Sequence, residues 1–426
     1  MTSKSPIVIV GGGLSGLVAA ATLARAGEPV VVLEKSSTPG GRATTRERDG
    51  FQFNLGPHAL YRAGALRQTL EHLGVDVRGA TPGANGGFAI WKGVPYTLPT
   101  GFTSLLTTGL LGLHGKFALA RVLQSLPTLN ASPWHGRTLE EWLTSMGNDG
   151  AADVIRMLAR VATFTDDPRR QSAGAVIDQL QLALNGNVLY LDGGWQTIVD
   201  GLVRVARAAR AEIRPGSHAV AVRPEGVGLA DGSFLRASAT IIAAAPHDVD
   251  ALTGATRFAS ELPPPVRHAT LDIALTSLPN PKRTVAFGVD APLYFSVHSA
   301  VARLAPGDGA VIHASKYLAP DETADAVVAR EIEALVDLMQ PGWRDRVRFS
   351  QYLPNLTVTN CELVADRGGM AGRPNVALRG FDNVFIAGDW VGSRGQLSDA
   401  AAASAVDAAD AAMRFVRADG RMPKAS

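Results

Sequence analysis

Two groups of residues have the types and spacing for chemistry. The first is Gly11-Gly12-Gly13-Leu14-Ser15-Gly16, a G-x-G-x-x-G run with its glycines at 11, 13 and 16. Gly11 permits a tight turn, Gly13 lets backbone approach a pyrophosphate, and Gly16 lets a helix lie close on a strand. Glu34 follows at the spacing where an acid accepts hydrogen bonds from a ribose. The second group is Gly56-Pro57-His58, with Asn54 before it and Tyr61 just beyond. A histidine there can donate a hydrogen bond or act as acid or base near neutral pH, or it can point into the core on a backbone partner. Asp166-Asp167-Pro168 reads as a helix-ending turn rather than a carboxylate pair, and Cys361 as a small buried cysteine.

The elements that must hold the glycine run are legible around it. Pro6-Ile7-Val8-Ile9-Val10 is a short apolar run of the kind found in buried parallel strands. Leu17 to Ala26 is an alanine-rich helix stopping at Gly27, and Pro29-Val30-Val31-Val32-Leu33 is a second strand with Glu34 at its tip. A helix N-terminus following the glycines offers unpaired N–H groups and the positive end of a dipole to phosphate. Strand, glycines, helix, strand and acid together specify a dinucleotide site, whereas a glycine run alone would not.

The middle and end of the chain repeat this logic. Leu191-Asp192-Gly193-Gly194-Trp195 precedes a helix to about Ala211, and strands at 220–222, 227–229 and 234–235 surround the hairpin turn Asp231-Gly232. Ala239 to Ala243 and Asn383 to Ala387 read as further buried strands, and a long alanine-rich helix spans roughly Leu397 to Val416. The stretch from Tyr96 to Tyr190 reads as helical, with a capping box at Thr138-Leu139-Glu140-Glu141. His247 to Asn375 should hold a sheet plus a helix near Glu322 to Met339. That helix carries Val327, Val328, Ile332, Leu335, Val336 and Met339 on one face.

Composition narrows the classes. The chain has 426 residues, 46% of them hydrophobic and 19% charged, which suits two or three folded domains and excludes disorder, collagen and coiled coil. Lys and Arg number 41 against 39 acids, so no net field holds a polyanion, and nucleic-acid binding is not expected. Arg204, Arg207, Arg210 and Arg214 have helical spacing and read as a solvated helix face. One cysteine excludes an intrachain disulfide and a Cys-based zinc site, no metal is expected, and a reducing cytoplasm fits. With the first strand starting by Ile7 there is no room for a cleavable leader, and no apolar run is long enough to span a bilayer. Gly101 to Leu113 is uncharged and rich in Leu and Thr. It reads as a buried helix, with an apolar flap at a substrate entrance touching a membrane surface as the alternative.

Pro39-Gly40-Gly41-Arg42, soon after Glu34, resembles the flavin amine oxidase, phytoene desaturase and protoporphyrinogen oxidase superfamily of FAD-dependent oxidoreductases. Gly388-Asp389 ahead of the last helix, and the Leu191 to Trp195 block, resemble further parts of the family pattern in the same order. The resemblance covers about half the chain. It implies an α/β fold: a discontinuous Rossmann-like FAD-binding domain with a central parallel sheet and a β-meander, plus a mixed α+β substrate domain. The expected division is 1–95, 191–246 and 376–418 for FAD, 96–190 and 247–375 for substrate, and a flexible tail at 419–426.

The resemblance also implies non-covalent FAD, with Cys361 lacking the flanks of the family's flavin-linked cysteine. FAD would be held by Gly11, Gly13, Leu14, Ser15, Gly16, Glu34, Lys35, Gly41, Arg42, Gly56, Pro57, His58, Val220, Gly388, Asp389, Gln396 and Leu397. His58 and Trp390 are the catalytic candidates, Trp390 as a residue facing the cofactor. Lys316 is similar in placement to a lysine that amine oxidases set near the flavin, but its flanks are not specific and it reads first as a strand-edge lysine. Without a second aromatic beside Trp390, the pattern favours a desaturase or dehydrogenase acting on an apolar, isoprenoid or polyene-like substrate. An amine oxidase, a flavin-dependent isomerase and a non-catalytic lipid-binding relative are the alternatives.

Overall fold

Runs of Val, Ile and Leu with no polar member form strands buried on both faces. The computed structural model describes residues 5–83, 87–99, 101–254 and 257–419. Strands β1 (Ile7–Val10), β2 (Val30–Glu34), β3 (Glu212–Pro215), β4 (Ala239–Ile242) and β5 (Val384–Ile386) form one parallel sheet in the order β3-β2-β1-β4-β5. The start, centre and end of the chain thereby meet in one layer. Helix α1 (Leu14–Arg25) and the C-terminal helix Leu397–Asp419 bury facing alanines, among them Ala20, Ala21, Ala405, Ala408 and Ala412. Side chains this small let two helix backbones approach closely over the sheet. The antiparallel meander Ala219–Arg223, Gly226–Leu229 and Phe234–Arg236 sits between β3 and β4 in the chain.

In a second, seven-stranded sheet, Val266–Leu275 pairs on one side with Ala310–Leu318 and on the other with the edge strand Val347–Thr359. Alternation gives it two unlike faces. Ala269, Leu271, Ile273 and Leu275 pack with Val328, Ile332, Leu335, Val336 and Met339 of the helix Ala326–Met339. The opposite face carries His268, Thr270 and Asp272, which stand across from Tyr317, Ser315 and His313. Helices Leu113–Ser125, Leu139–Ser145, Asp149–Thr163 and Ala173–Gly186 form a separate apolar cluster beside this sheet.

Several sequence expectations change. The hairpin Gly87–Trp91 and Val94–Thr97 extends the seven-stranded sheet, so the boundary expected at 95 cuts through a hairpin. The arginine run is not one helix face. The helix Gln196–Ala208 stops to let β3 pair with β2, leaving Arg210 in a left-handed conformation and Arg214 on β3 with Glu212. Val327 is half exposed because the helix begins at Ala326, capped by Asp325, and its first turn faces outward. Gly101 to Leu113 is not a buried helix: a short helix, Phe102–Thr107, buries Leu105 but exposes Leu106, and Leu113, the first residue of the next helix, is exposed as well. The expected tail lies, from residue 420 onward, outside the described residues. Among the described residues no helix is long and apolar enough to cross a membrane.

Candidate active site

Where β1, α1 and β4 cross, there is room only for hydrogen. A Cβ on Gly11 would stand 2.4 Å from the Ala243 carbonyl oxygen, and one on Gly16 would stand 1.9 Å from that of Gly11. Gly13 differs, since a Cβ there meets no atom within 4 Å. It opens on a cavity of about 770 Å³. Helix α1 starts beside it with no capping side chain and no acid in its first turn, so its N–H groups and positive dipole are left for an anion. Glu34 lines the same cavity, accepting the Gly12 N–H at 2.7 Å and the Ser36 N–H at 2.8 Å. A carboxylate so held keeps lone pairs for ribose hydroxyls. The Ser217 N–H bonds to the Glu34 carbonyl and brings the meander residues Ala219 and Val220 to this end.

Gly40 and Gly41 take positive φ, and the Gly40 N–H bonds to the Gly12 carbonyl, locking the two glycine turns together. Arg42 then reaches Asp389 at 2.8 Å and the Val358 carbonyl at 2.8 Å. The Asn360 side-chain amide also donates to Asp389, at 2.9 Å. Ser404 of the C-terminal helix fixes the Gly388 turn, its Oγ accepting from the Gly388 N–H and donating to the Gly388 carbonyl. Leu397, Ser398 and Ala401 present the start of that helix to the cavity. An open glycine beside an uncapped helix, a carboxylate with spare lone pairs and an arginine on the same wall could hold a dinucleotide with two phosphates.

The other end is aromatic. Gly56, at φ +77°, donates its N–H to Asp272 at 3.3 Å. His58 Nδ1 donates to the Gly56 carbonyl at 3.1 Å, and the ring lies against Trp195. Burial lowers the His58 pKa to about 4, so the imidazole is neutral near pH 7, and the Gly56 carbonyl is the backbone partner that the sequence allowed as one of its readings. Tyr61 donates to the Ala162 carbonyl at 2.9 Å. Phe164, left-handed at the end of its helix, stacks on His268, whose Nε2 donates to the Phe164 carbonyl at 2.9 Å. Burial takes His268 to about 4 as well. Beneath them Asp272 accepts from His313 at 2.6 Å, both fully buried.

Gly11, Gly13, Leu14, Ser15, Glu34, Lys35, Gly41, Arg42, Pro57, His58, Val220, Gly388, Asp389 and Leu397 all line this one cavity. Four other expected residues do not. Gly16 and Gly56 shape the turns behind the wall, where a Cβ on Gly56 would meet Leu356 at 2.6 Å. Gln396 turns away and donates to the Ala175 carbonyl at 2.6 Å. Trp390 is fully buried, its indole N–H given to the Ala244 carbonyl and its ring set against Phe258. The expectation that it faces the cofactor is therefore corrected: an indole with an apolar pocket and a backbone partner behind the sheet stays there.

Lys316, on a strand paired on both sides, binds Glu322 and Glu331, and Asp166 pairs with Arg156 and Arg160. Cys361 is buried off the cavity wall, its thiol pushed up to about 12 by desolvation. Sequence reasoning missed Phe164, His268, Leu356 and Asn360. For His268 a signal existed: His268, Thr270 and Asp272 place polar groups at every second position of an apolar strand, which marks a polar sheet face.

Residues 14–279 match the family described as flavin containing amine oxidoreductase. A solved oxidoreductase from Methanosarcina mazei, 19% identical, aligns with a TM-score of 0.74 over 94% of this chain and 98% of its own. Phytoene desaturase of Cercospora nicotianae is 40% identical over 77 residues, 18% of this chain and 12% of the desaturase. L-amino acid oxidase of Bothrops pictus is 51% identical over 63 residues, 14% of this chain and 13% of the oxidase. The aligned part is thus a small fraction of these curated relatives, and it is similar to both a desaturase and an amino acid oxidase. With the family match spanning more than half its length, the chain belongs to the flavin containing amine oxidoreductase family, a flavin-dependent oxidoreductase with FAD as its cofactor.

Proposed function

We propose that the protein oxidises a C–H bond of an apolar substrate held at the aromatic end of the cavity, as a desaturase or dehydrogenase. One observation carries this reading: among the described residues, no acid or strong base stands unpaired with the aromatic side chains at that end. On the cavity wall, Glu34 and Lys35 are at the end of β2, Arg42 and Asp389 pair with each other at 2.8 Å, and Asp248 is on the helix Pro246–Thr253. His58 and His268 are held neutral by burial. A substrate ammonium or carboxylate there would be desolvated without a counter-charge, at a cost of several kcal/mol, roughly. An apolar substrate meets no such penalty and gains from leaving water.

In this reading the cavity-lining glycines, Glu34, Lys35, Arg42, Asp389, Val220 and Leu397 hold the dinucleotide, and Pro57 and His58 face its reactive end. Bound FAD supplies two-electron oxidation. The chain's own contribution is to orient and to exclude water. Tyr61, Phe164, Leu356 and Trp195 wall the chamber, and Asp272 and the Gly56 turn set the height of His58. Oxidation of carbon next to a conjugated system needs no strong base, which suits a chamber whose histidines are neutral. Mixing oxidised protein anaerobically with polyenes and, separately, with amines tests the reading. Loss of flavin absorbance with polyenes supports it; loss with amines alone overturns it.

The same reading includes a membrane contact for an apolar substrate. Leu106, Leu113 and Phe117 are 56%, 74% and 76% exposed, and Lys116, which bonds the Leu106 carbonyl, ties the two short helices into one apolar face. Flotation with anionic liposomes, reduced in the Leu113→Ser, Phe117→Ser variant, is the expected result. Full recovery of the wild type in the soluble fraction would remove this part.

A further inference from the structure

The helix Asp149–Thr163 ends in a conformation that its last residue does not favour. It closes on Phe164, at φ 58° and ψ 27°, whose N–H bonds to the Arg160 carbonyl at 2.7 Å. A left-handed backbone is costly for a residue with a Cβ, and helices that end this way usually do so on glycine. The helices Ala65–Leu73 and Pro246–Thr253 follow that habit with Gly74 and Gly254. Such strain persists only where the surroundings over-determine it. Here they do. The Phe164 carbonyl accepts from His268 Nε2 at 2.9 Å, and the ring stacks on the same imidazole with the centroids 5.6 Å apart. Arg160 donates to the carbonyls of Gly288, Val289 and Ala291 and meets Asp166 at 3.2 Å, so the turn is anchored before and after Phe164.

The ring so placed is a partition. Phe164 is half-buried and lines the cavity with Tyr61, His268 and Leu356. Tyr294 and Tyr317, with ring centroids 6.4 Å from that of Phe164, are buried and form no part of the cavity wall. We infer that Phe164 is a specificity-determining residue, the stop against which the end of an apolar substrate chain rests, with His268 the positioning residue that holds it there. This rests on the apolar-substrate reading above and deepens it, giving the chamber a fixed depth. A phenyl ring suits the task because it offers the chain end an apolar face with no group that needs a hydrogen bond. Trimming it to a methyl frees space contiguous with the cavity and opens the way to Tyr294 and Tyr317.

The test titrates the acyclic polyenes myrcene, farnesene and springene, each an isoprene unit longer than the last, into the FAD-loaded protein. Binding is read by equilibrium dialysis and by the flavin difference spectrum. Wild-type affinity is expected to level off at the member whose chain reaches Phe164. In Phe164→Ala that limit moves to a longer member, and the probe just past the wild-type limit binds at least about tenfold tighter than it does to the wild type, the worth of one methylene in an apolar pocket. His268→Phe keeps the stacked ring but cannot donate to the Phe164 carbonyl, so the limit blurs; His268→Gln, which still donates, sharpens it again. The same limit in Phe164→Ala and the wild type, or a wild-type affinity that climbs along the whole series, overturns the inference and leaves the apolar reading standing. A limit as sharp in His268→Phe as in the wild type overturns the role given to His268. Should Phe164→Ala lose its FAD, Phe164→Trp decides: the larger ring weakens the last member that the wild type holds in full, and unchanged binding overturns the stop. Binding of octylamine but of none of the polyenes overturns both the inference and the reading beneath it.

Discussion

Gly13 and Gly16 lie three residues apart in one motif, yet the structure gives them separate jobs that two single substitutions distinguish. A Cβ on Gly16 would sit 1.9 Å from the Gly11 carbonyl oxygen, where real contacts do not fall below 3.0 Å. Helix α1 must therefore withdraw by about 1 Å from the sheet, an overpacking strain of roughly 1–3 kcal/mol. Gly13 has φ −74° and ψ −173°, open to any residue, and its Cβ meets nothing within 4 Å. Gly13→Ala should cost the cofactor-free protein at most about 1 kcal/mol, through the weaker N-cap preference of alanine. Its methyl instead stands in front of the helix N–H groups that a phosphate must approach. Losing one or two charge-assisted hydrogen bonds, about 3 kcal/mol, weakens FAD binding about 100-fold. The assay is thermal unfolding of the cofactor-free proteins beside FAD titration by fluorescence quenching. Gly16→Ala is expected to lower the midpoint of unfolding by several degrees, whereas Gly13→Ala keeps the midpoint and loses the cofactor. Gly13→Ala binding FAD within threefold of wild type would refute the placement of the phosphates at α1.

Three further outcomes are expected. His58→Phe preserves the ring against Trp195 and should retain FAD while turnover drops about tenfold, the worth of one hydrogen bond; because burial holds His58 near 4, the wild-type rate should show no inflection from it between pH 6 and 8, and such an inflection vanishing in the variant would contradict this. Asp399, 2% exposed, accepts from the Leu66 N–H through one oxygen, has no partner among the described residues for the other, and is raised by burial to about 6. A carboxyl raised in the folded state favours folding when protonated, so its contribution is full below about pH 4 and is lost as pH rises through 6, about 3 kcal/mol in all. Asp399→Asn should thus be more stable than wild type at pH 8 and converge with it near pH 4, and chemical-denaturation curves that stay parallel across that range would exclude the sign. Finally, unfolding in acid should release FAD from the polypeptide, and native Cys361 should resist thiol reagents; flavin that stays with the chain on a denaturing gel would overturn the non-covalent assignment.

The cofactor end was legible because its parts are contiguous. Gly11 through Gly16, Glu34, and Gly40 to Arg42 act through turn geometry and helix dipole, which depend on neighbours a few residues away. The parallel strands were legible for a similar reason, since Ile7–Val10 and Val384–Ile386 carry their burial in their own composition. Val327 and the Arg204 to Arg214 run were misplaced because periodicity does not say where a helix starts or stops when a strand competes for the next residues.

The sequence by itself therefore determined the strands, glycine turns and helix starts that line one end of the cavity, and the order of those segments, because they follow from local backbone rules. Only the tertiary structure decided the aromatic end. Tyr61, Phe164, His268 and Leu356 come from four distant segments, and neither their meeting nor the neutrality of His58 and His268 can be read along the chain. Trp390 shows the same limit from the other side: one residue from Asp389 on the cavity wall, it is turned into the core by an apolar pocket and the Ala244 carbonyl. Burial is a property of the whole packed surface, and burial sets both the pKa of a histidine and the side of a sheet on which an indole comes to rest.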